Sequence, residues 1–165
     1  MRKTLFLFIC SLTAIFFLTT SFSSQERQKE WEPIFMTRAD LEQSVKYINE
    51  NRPLKNPGKI YCKGDYIYVN ELFKGVHVIN NSNPKKPVNE GFILVPGCVD
   101  MAVKENILYV DNAVDLVAFD LESKQVTQRL KGVLPETPSP AGYFHYRYGE
   151  RSKGLILVGW NEITK

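Results

Sequence analysis

The sequence is poor in the residue types that most reactions and metal sites require. It holds two histidines, His77 and His145, and three cysteines, Cys10, Cys62 and Cys98. No Cys/His cluster has zinc-ligand spacing, and no G-x-S-x-G elbow presents a nucleophilic serine. Asp100, Asp111, Asp115 and Asp120 gather in one stretch, but without the D-x-D-x-D-G spacing that converges oxygens on calcium. Gly64, Gly75, Gly91 and Gly97 are scattered turn residues and make no phosphate cradle. No catalytic, metal or cofactor residue is named on these grounds, and a non-enzymatic role is favoured.

Charge is lacking too. Lys and Arg total 21 against 18 Asp and Glu, a formal +3, and no run of five like charges occurs. Arg2 and Lys3 lie in a segment expected to be removed, which leaves 21 − 2 = 19 basic residues facing 18 acidic ones. That balance gives no electrostatic case for nucleic acid or an anionic membrane as partner. At 165 residues the chain has room for one domain.

What is present begins with an export pattern. "MRK" is a short basic region, "TLFLFICSLTAIFFLTT" an apolar run, and "SFSSQ" a small-residue cleavage region. Ser21 and Ser23 stand at −3 and −1 of a cut before Ser24, so residues 1–23 read as a signal peptide. The alternative is an uncleaved anchor. The expected location is the periplasm, the cell surface or the medium, with no membrane contact beyond this segment. Cys10 sits inside the apolar run behind "LFI", bulky residues where lipid attachment wants small ones. Cys62 and Cys98 remain. An oxidising compartment permits a bridge between them. Their places on strands of different repeats favour two buried free thiols.

Residues 24–58 read as a leader with a short helix over about 37–49. "SQERQKEWEPIFM" is taken as exposed. Thr37 is a good N-cap, with Asp40 three residues on, and Leu41, Val45 and Ile48 share one helical face. Two prolines and a glycine in 49–58 end it.

From Lys59 onward short apolar runs alternate with turn residues, which predicts an all-β region over 59–165. "KIYCK" and "YIYVN" flank Gly64-Asp65, a two-residue hairpin signal. Strands are expected at 59–63, 66–70, 75–80 and about 90–95. The order then repeats: "DMAVK", "ILYVD", "DLVAFD" and "VTQRLK". Lys63, Tyr68 and Val69 match Lys104, Tyr109 and Val110 at an offset of 41, and "VHVIN" matches "LVAFD" at 40 after one deletion. A period near 41 with four strands per unit is the signature of a β-propeller blade, whose two faces need like neighbours to bury them. Blades are expected at about 59–97 and 98–135. A third unit starts at about 141 with "YFHYRY" and "LILVGW" and is partial, ending at 165.

The chain resembles the exported Bacteroidetes β-propeller proteins built from LVIVD repeats. Val76–Asn80 and Leu116–Asp120 take the place of the naming pentad, and "MTRADLEQSV", "RPLKNPGKIY", "KGVHVINNSNP" and "VDMAV" look typical of the group's N-terminal part. The likeness covers roughly residues 33–160. It implies a secreted or surface-attached propeller, and no catalytic residue comes with it. The chain departs from the pattern in lacking a lipidated cysteine after the signal. With two blades and part of a third it also falls short of the roughly four that a closed propeller needs. A truncated fragment without a function of its own is therefore among the readings.

Individual residues have plain readings beside sharper ones. His77 occupies the repeat position of Val117, so it is expected to pack on a blade face. Asn80 and Asp120 share a repeat position, and their expected work is bonding backbone N–H groups of the following turn. Tyr66, Tyr68, Tyr109, Tyr143, Phe144, Tyr146, Tyr148 and Trp160 read first as core between blades. The sharper reading makes Tyr143, His145, Tyr146, Tyr148 and Trp160 an aromatic platform for a glycan or a protein. The open blade edge is a second contact, through which the chain would self-associate. The favoured function is an exported binding or scaffold module. The alternative is an enzyme whose funnel site is completed by missing blades.

Overall fold

In the computed structural model the described residues are 30–140 and 153–163. They form eleven strands and one short helix: β1 (Glu30–Thr37), α1 (Arg38–Gln43), β2 (Lys46–Ile48), β3 (Pro57–Lys63), β4 (Tyr66–Glu71), β5 (Gly75–Asn80), β6 (Val88–Leu94), β7 (Met101–Lys104), β8 (Ile107–Asn112), β9 (Asp115–Asp120), β10 (Gln125–Leu130) and β11 (Leu155–Ile163). The protein is all-β, with three antiparallel sheets of order β2-β6-β5-β4-β3, β10-β9-β8-β7 and β1-β11, none of them closed. Among the described residues no helix is long and apolar enough to cross a membrane.

The two larger sheets are built alike. In each, four consecutive strands run up and down, and Gly64-Asp65 and Glu105-Asn106 turn the first hairpins. Gly64 (φ 54°) and Glu105 (φ 52°) both take the left-handed conformation at the first turn position. The second turn explains the change of offset from 41 to 40. Glu71 pairs with Gly75 across three residues, and Asn112 with Asp115 across two.

Register fixes which faces meet. Tyr68 pairs with Val78 and Val76 with Ile93, so these four share one face of the first sheet. Met101 pairs with Val110, Val103 with Leu108, and Leu108 with Phe119, which puts them on one face of the second. All nine join one buried cluster with Val95, Cys98 and Val117. The repeat equivalents of the second sheet's buried face are Ile60, Cys62, Ile67, Val69, His77 and Ile79, on the opposite face of the first sheet from Tyr68. The units therefore stack front to back. A one-residue slip in either strand set would exchange buried and open faces.

Burial follows from that stacking. Tyr68–Glu71 and Gly75–Val78 are buried without a break, because both faces of the first sheet are covered there. In β9 buried and half-buried residues alternate, as on a sheet with one open face. The far face of the first sheet is crossed by the segment around Arg52. Its guanidinium lies 4.8 Å from the Phe92 ring centre, and its carbonyl accepts from Asn89 at 3.0 Å. The β1–β11 sheet packs Ile156 and Val158 with Met36, Leu41 and Ala113 in a second, smaller core.

Several expectations need correction. Residues 30–36, read as exposed leader, are β1, hydrogen-bonded to β11. The helix ends at Gln43, not near 49, and Lys46–Ile48 joins the edge of the first sheet as its fifth strand. Six helical residues are too few to hold together alone. Beyond them Tyr47 and Ile48 gain more by pairing with β6. Thr37 does cap the helix, accepting from the Asp40 N–H at 3.2 Å. Cys62 and Cys98 are both free, but only Cys98 is buried; Cys62 is exposed. The hairpin strand expected at 143–148 lies outside the described residues. The strand expected at 155–160 is present as part of β11.

Candidate ligand-binding site

The two sheets part at the end that carries the Gly64-Asp65 and Glu105-Asn106 turns, leaving a cavity of about 280 Å³. Its floor is the shared core, at Val78, Ile93 and Phe119. Its walls carry three phenols, Tyr47 from β2 and Tyr66 and Tyr68 from β4. Lys63, Glu90, Asn106 and Lys124 supply the polar groups.

Each wall residue is placed by a local cause. Tyr47 fits because residue 91 is glycine: a Cβ there would run into the Tyr47 hydroxyl. That hydroxyl donates to the Glu90 carbonyl at 3.3 Å. Tyr66 and Tyr68 lie two apart on a strand, hence on one face, with ring centres 6.4 Å apart and planes 29° from parallel. Lys124 owes its place to the turn before it. Asp120 Oδ1 accepts from the N–H groups of Glu122 (2.9 Å) and Ser123 (2.7 Å), and Lys124 closes the turn at φ 57°. Its ammonium then lies 3.9 Å from the Tyr47 ring centre. Asn80 does the same turn-setting work one unit earlier, accepting from Ser82 N at 2.9 Å, so the local role expected of both residues is the one they have.

Electrostatics favour a protonated, donor-rich wall. The Glu90 carboxylate, beside and hydrogen-bonded to Tyr66, raises the pKa of that phenol. Burial, then the Glu90 charge, raises Tyr47, and burial raises Tyr68. Glu90 is already engaged, accepting from Asn80 Nδ2 at 2.9 Å. The site thus offers hydroxyl donors, aromatic faces and two ammonium groups against one carboxylate that has its own partners. That set can stack on an apolar sugar face, hydrogen-bond its hydroxyls and neutralise an acidic substituent.

The residues singled out from the sequence fare differently. Tyr143, His145, Tyr146 and Tyr148 lie outside the described residues. Trp160 lies on β11 and is buried, at 7 % exposed. His77, fully buried, packs edge-on against Phe92 with ring centres 4.8 Å apart. Its Nε2 lies 2.8 Å from Glu71 Oε2 and its Nδ1 3.1 Å from Asn89 Nδ2. Asn89 can only donate to Nδ1, so the Nε2–H donates to Glu71. Burial pushes the Glu71 carboxyl up, but the bonds from His77 and Lys74 outweigh it and hold its pKa below the ordinary range. With no solvent access at His77, this network holds a sheet face together and does not meet a substrate. Among the described residues no group of three His, Cys, Asp or Glu side chains is placed to hold a metal ion.

By type the sequence singles out Tyr66 and Tyr68, but as core between blades and not as a site, and nothing in it marks Tyr47, Lys63, Glu90 or Lys124. Tyr47 falls in the stretch expected to be helical, and Lys63, Glu90 and Lys124 join the site only by tertiary packing. No family model matches the chain, and neither does any curated protein or solved structure.

Proposed function

We propose that the protein is an exported, non-enzymatic binding module of propeller-type repeats, and that the cavity between its two units takes the acidic residue of a glycan. The observation that carries the reading is the convergence of Tyr47, Tyr66 and Tyr68 with Lys63 and Lys124 around one cavity. A volume near 280 Å³ suits a single sugar ring rather than a long chain. Front-to-back stacking of two like sheets supports the propeller-type reading. Export rests on the basic, apolar and small-residue order of residues 1–23.

Isothermal titration calorimetry of the purified protein tests this, with oligogalacturonate as the acidic probe and galactose oligomers as the neutral one. The expected result is binding of the acidic probe that Tyr66→Ala and Lys124→Ala each weaken about tenfold or more, about 1.4 kcal/mol. Equal affinity for both probes, or no heat with either, contradicts the reading.

A further inference from the structure

Two repeat positions are buried in one unit and open in the other. Tyr68 is 6 % exposed between the sheets, while its counterpart Tyr109 is 38 % exposed on the outer face of the second sheet. Met101 is 8 % exposed between the sheets, while its counterpart Ile60 is 66 % exposed on the far face of the first. The chain thus contains one complete front-to-back interface, and outside it the Tyr109 face of the second sheet and the Ile60 edge of the first sheet's far face stand open, while Val69 and His77 on that far face are covered.

The open face of the second sheet is a trough. A cavity of about 690 Å³ lies over Ala102, Tyr109 and Leu116, walled by Leu134 and Pro135. Tyr109 pairs with Ala102 and Ala118, and Leu116 with Leu130, so one face carries all five. They occupy the repeat positions of Tyr61, Tyr68, Val76, Val78 and Ile93, the face that receives the second sheet within the chain. The open edge of the first sheet is the outer side of the β3–β4 hairpin, where Ile60 and Cys62 are exposed.

Asp100, Asp111 and Glu136 line the trough with a single ammonium, that of Lys59. Within the chain, Lys59 already pairs at 2.6 Å with Asp100, the residue at its own repeat position in the next unit.

We propose that this trough docks a second copy of the chain, which inserts the open edge of its β3–β4 hairpin, Ile60 and Cys62 leading, as Met101 and Val103 are inserted against the Tyr68 face within the chain. The contact is heterologous: each copy offers a trough at one end and a hairpin face at the other. Growth then runs head to tail, and it leaves the tyrosine cavity untouched.

Two readouts test it on the purified protein. Sedimentation velocity across a concentration series should show reversible assembly, while the labelling rate of Cys62 by a maleimide falls about tenfold or more with rising concentration by mass action. Cys98 is buried throughout and serves as the internal control. Tyr109→Lys spoils the trough and Ile60→Asp spoils the hairpin face, so each variant alone should be monomeric. Mixed in equal amounts they should form a dimer and stop there, because each supplies the half the other lacks. A wild-type monomer at every concentration with constant Cys62 labelling overturns the proposal. Self-association by Ile60→Asp alone overturns it as well, since that would be trough against trough. The wild-type labelling series decides the matter even where a variant fails to fold.

Discussion

Lys59 and Asp100 are 41 positions apart in the chain, and their side chains meet at 2.6 Å from one repeat position in adjacent units. The Lys59 hydrogen bond holds the Asp100 carboxyl below its ordinary range. Both side chains are more than half exposed, at 63 % and 55 %. Water and salt screen such a pair, so a double-mutant cycle on Lys59→Ala and Asp100→Ala should give a coupling of no more than about 1 kcal/mol. The coupling should shrink further in high salt. The pair marks the register of the stacked units without supplying much of their stability.

Asp115 behaves differently because it is fully buried. Arg38 Nη1 reaches both its oxygens, at 2.8 and 2.7 Å, Arg129 Nη1 reaches one at 2.9 Å, and the Gly132 N–H donates to the other at 2.9 Å. Arg129 also donates to the helix carbonyls of Leu41 and Glu42. One carboxylate thus ties α1 to the second sheet. Asp115→Ala strands the Arg129 guanidinium, which is only 10 % exposed, and should cost about 3–5 kcal/mol in urea unfolding.

The same residue shapes the acid limb of stability. Burial pushes the Asp115 carboxyl up, but the bonds from Arg38, Gly132 and Arg129 outweigh it and the net shift is downward. Glu71 is lowered in the same way by His77 and Lys74. A carboxyl depressed on folding contributes stability above its unfolded pKa, near about 4, and loses it as pH falls through the folded value. Asp111 has the opposite sign. Burial raises it, so its contribution is present at low pH and fades as pH rises through its folded value. Melting curves between pH 2 and 6 should show stability falling toward acid, and Asp115→Asn should flatten that fall.

Gly97 marks the passage from the first unit to the second. Its φ is 81°, and a Cβ there would sit 2.6–2.8 Å from Ala113 backbone and side-chain atoms. Gly64 also has positive φ, at 54°, but a Cβ would meet nothing within 4 Å. Gly97→Ala should therefore cost about 2–4 kcal/mol, from left-handed strain plus overpacking. Gly64→Ala should cost about 1–2 kcal/mol from strain alone. Equal losses in denaturant melts would contradict the close approach at Ala113.

The strands of the two units were legible because short apolar runs and the turn residues between them are local signals. Gly64-Asp65 and Glu105-Asn106 mark their hairpins, and the 41-residue match of Lys63, Tyr68 and Val69 marks the copy. The pieces outside the repeat were not legible. Glu30–Thr37 is polar enough to read as leader, and only its pairing with β11, more than a hundred residues later, makes it a strand. Lys46–Ile48 fits a helical face by spacing and is drawn into a sheet by β6. The cavity was half legible. Tyr66 and Tyr68 stand out by type, whereas Lys124 enters only through a turn set by Asp120. Which face of each sheet is buried could not be read either, since Tyr68 and Tyr109 are the same residue at the same repeat position in opposite surroundings.

The most direct test of the account is which face of the second sheet meets the first, read by nuclear Overhauser contacts in methyl- and aromatic-labelled protein. Front-to-back stacking predicts cross-peaks from Val103, Leu108, Val117 and Phe119 to Tyr68, Val76, Val78 and Ile93, with Tyr109 and Ala102 showing none to that set within one chain. Contacts from Tyr109 to Val76 or Ile93, in place of those from Val117 and Phe119, would contradict it.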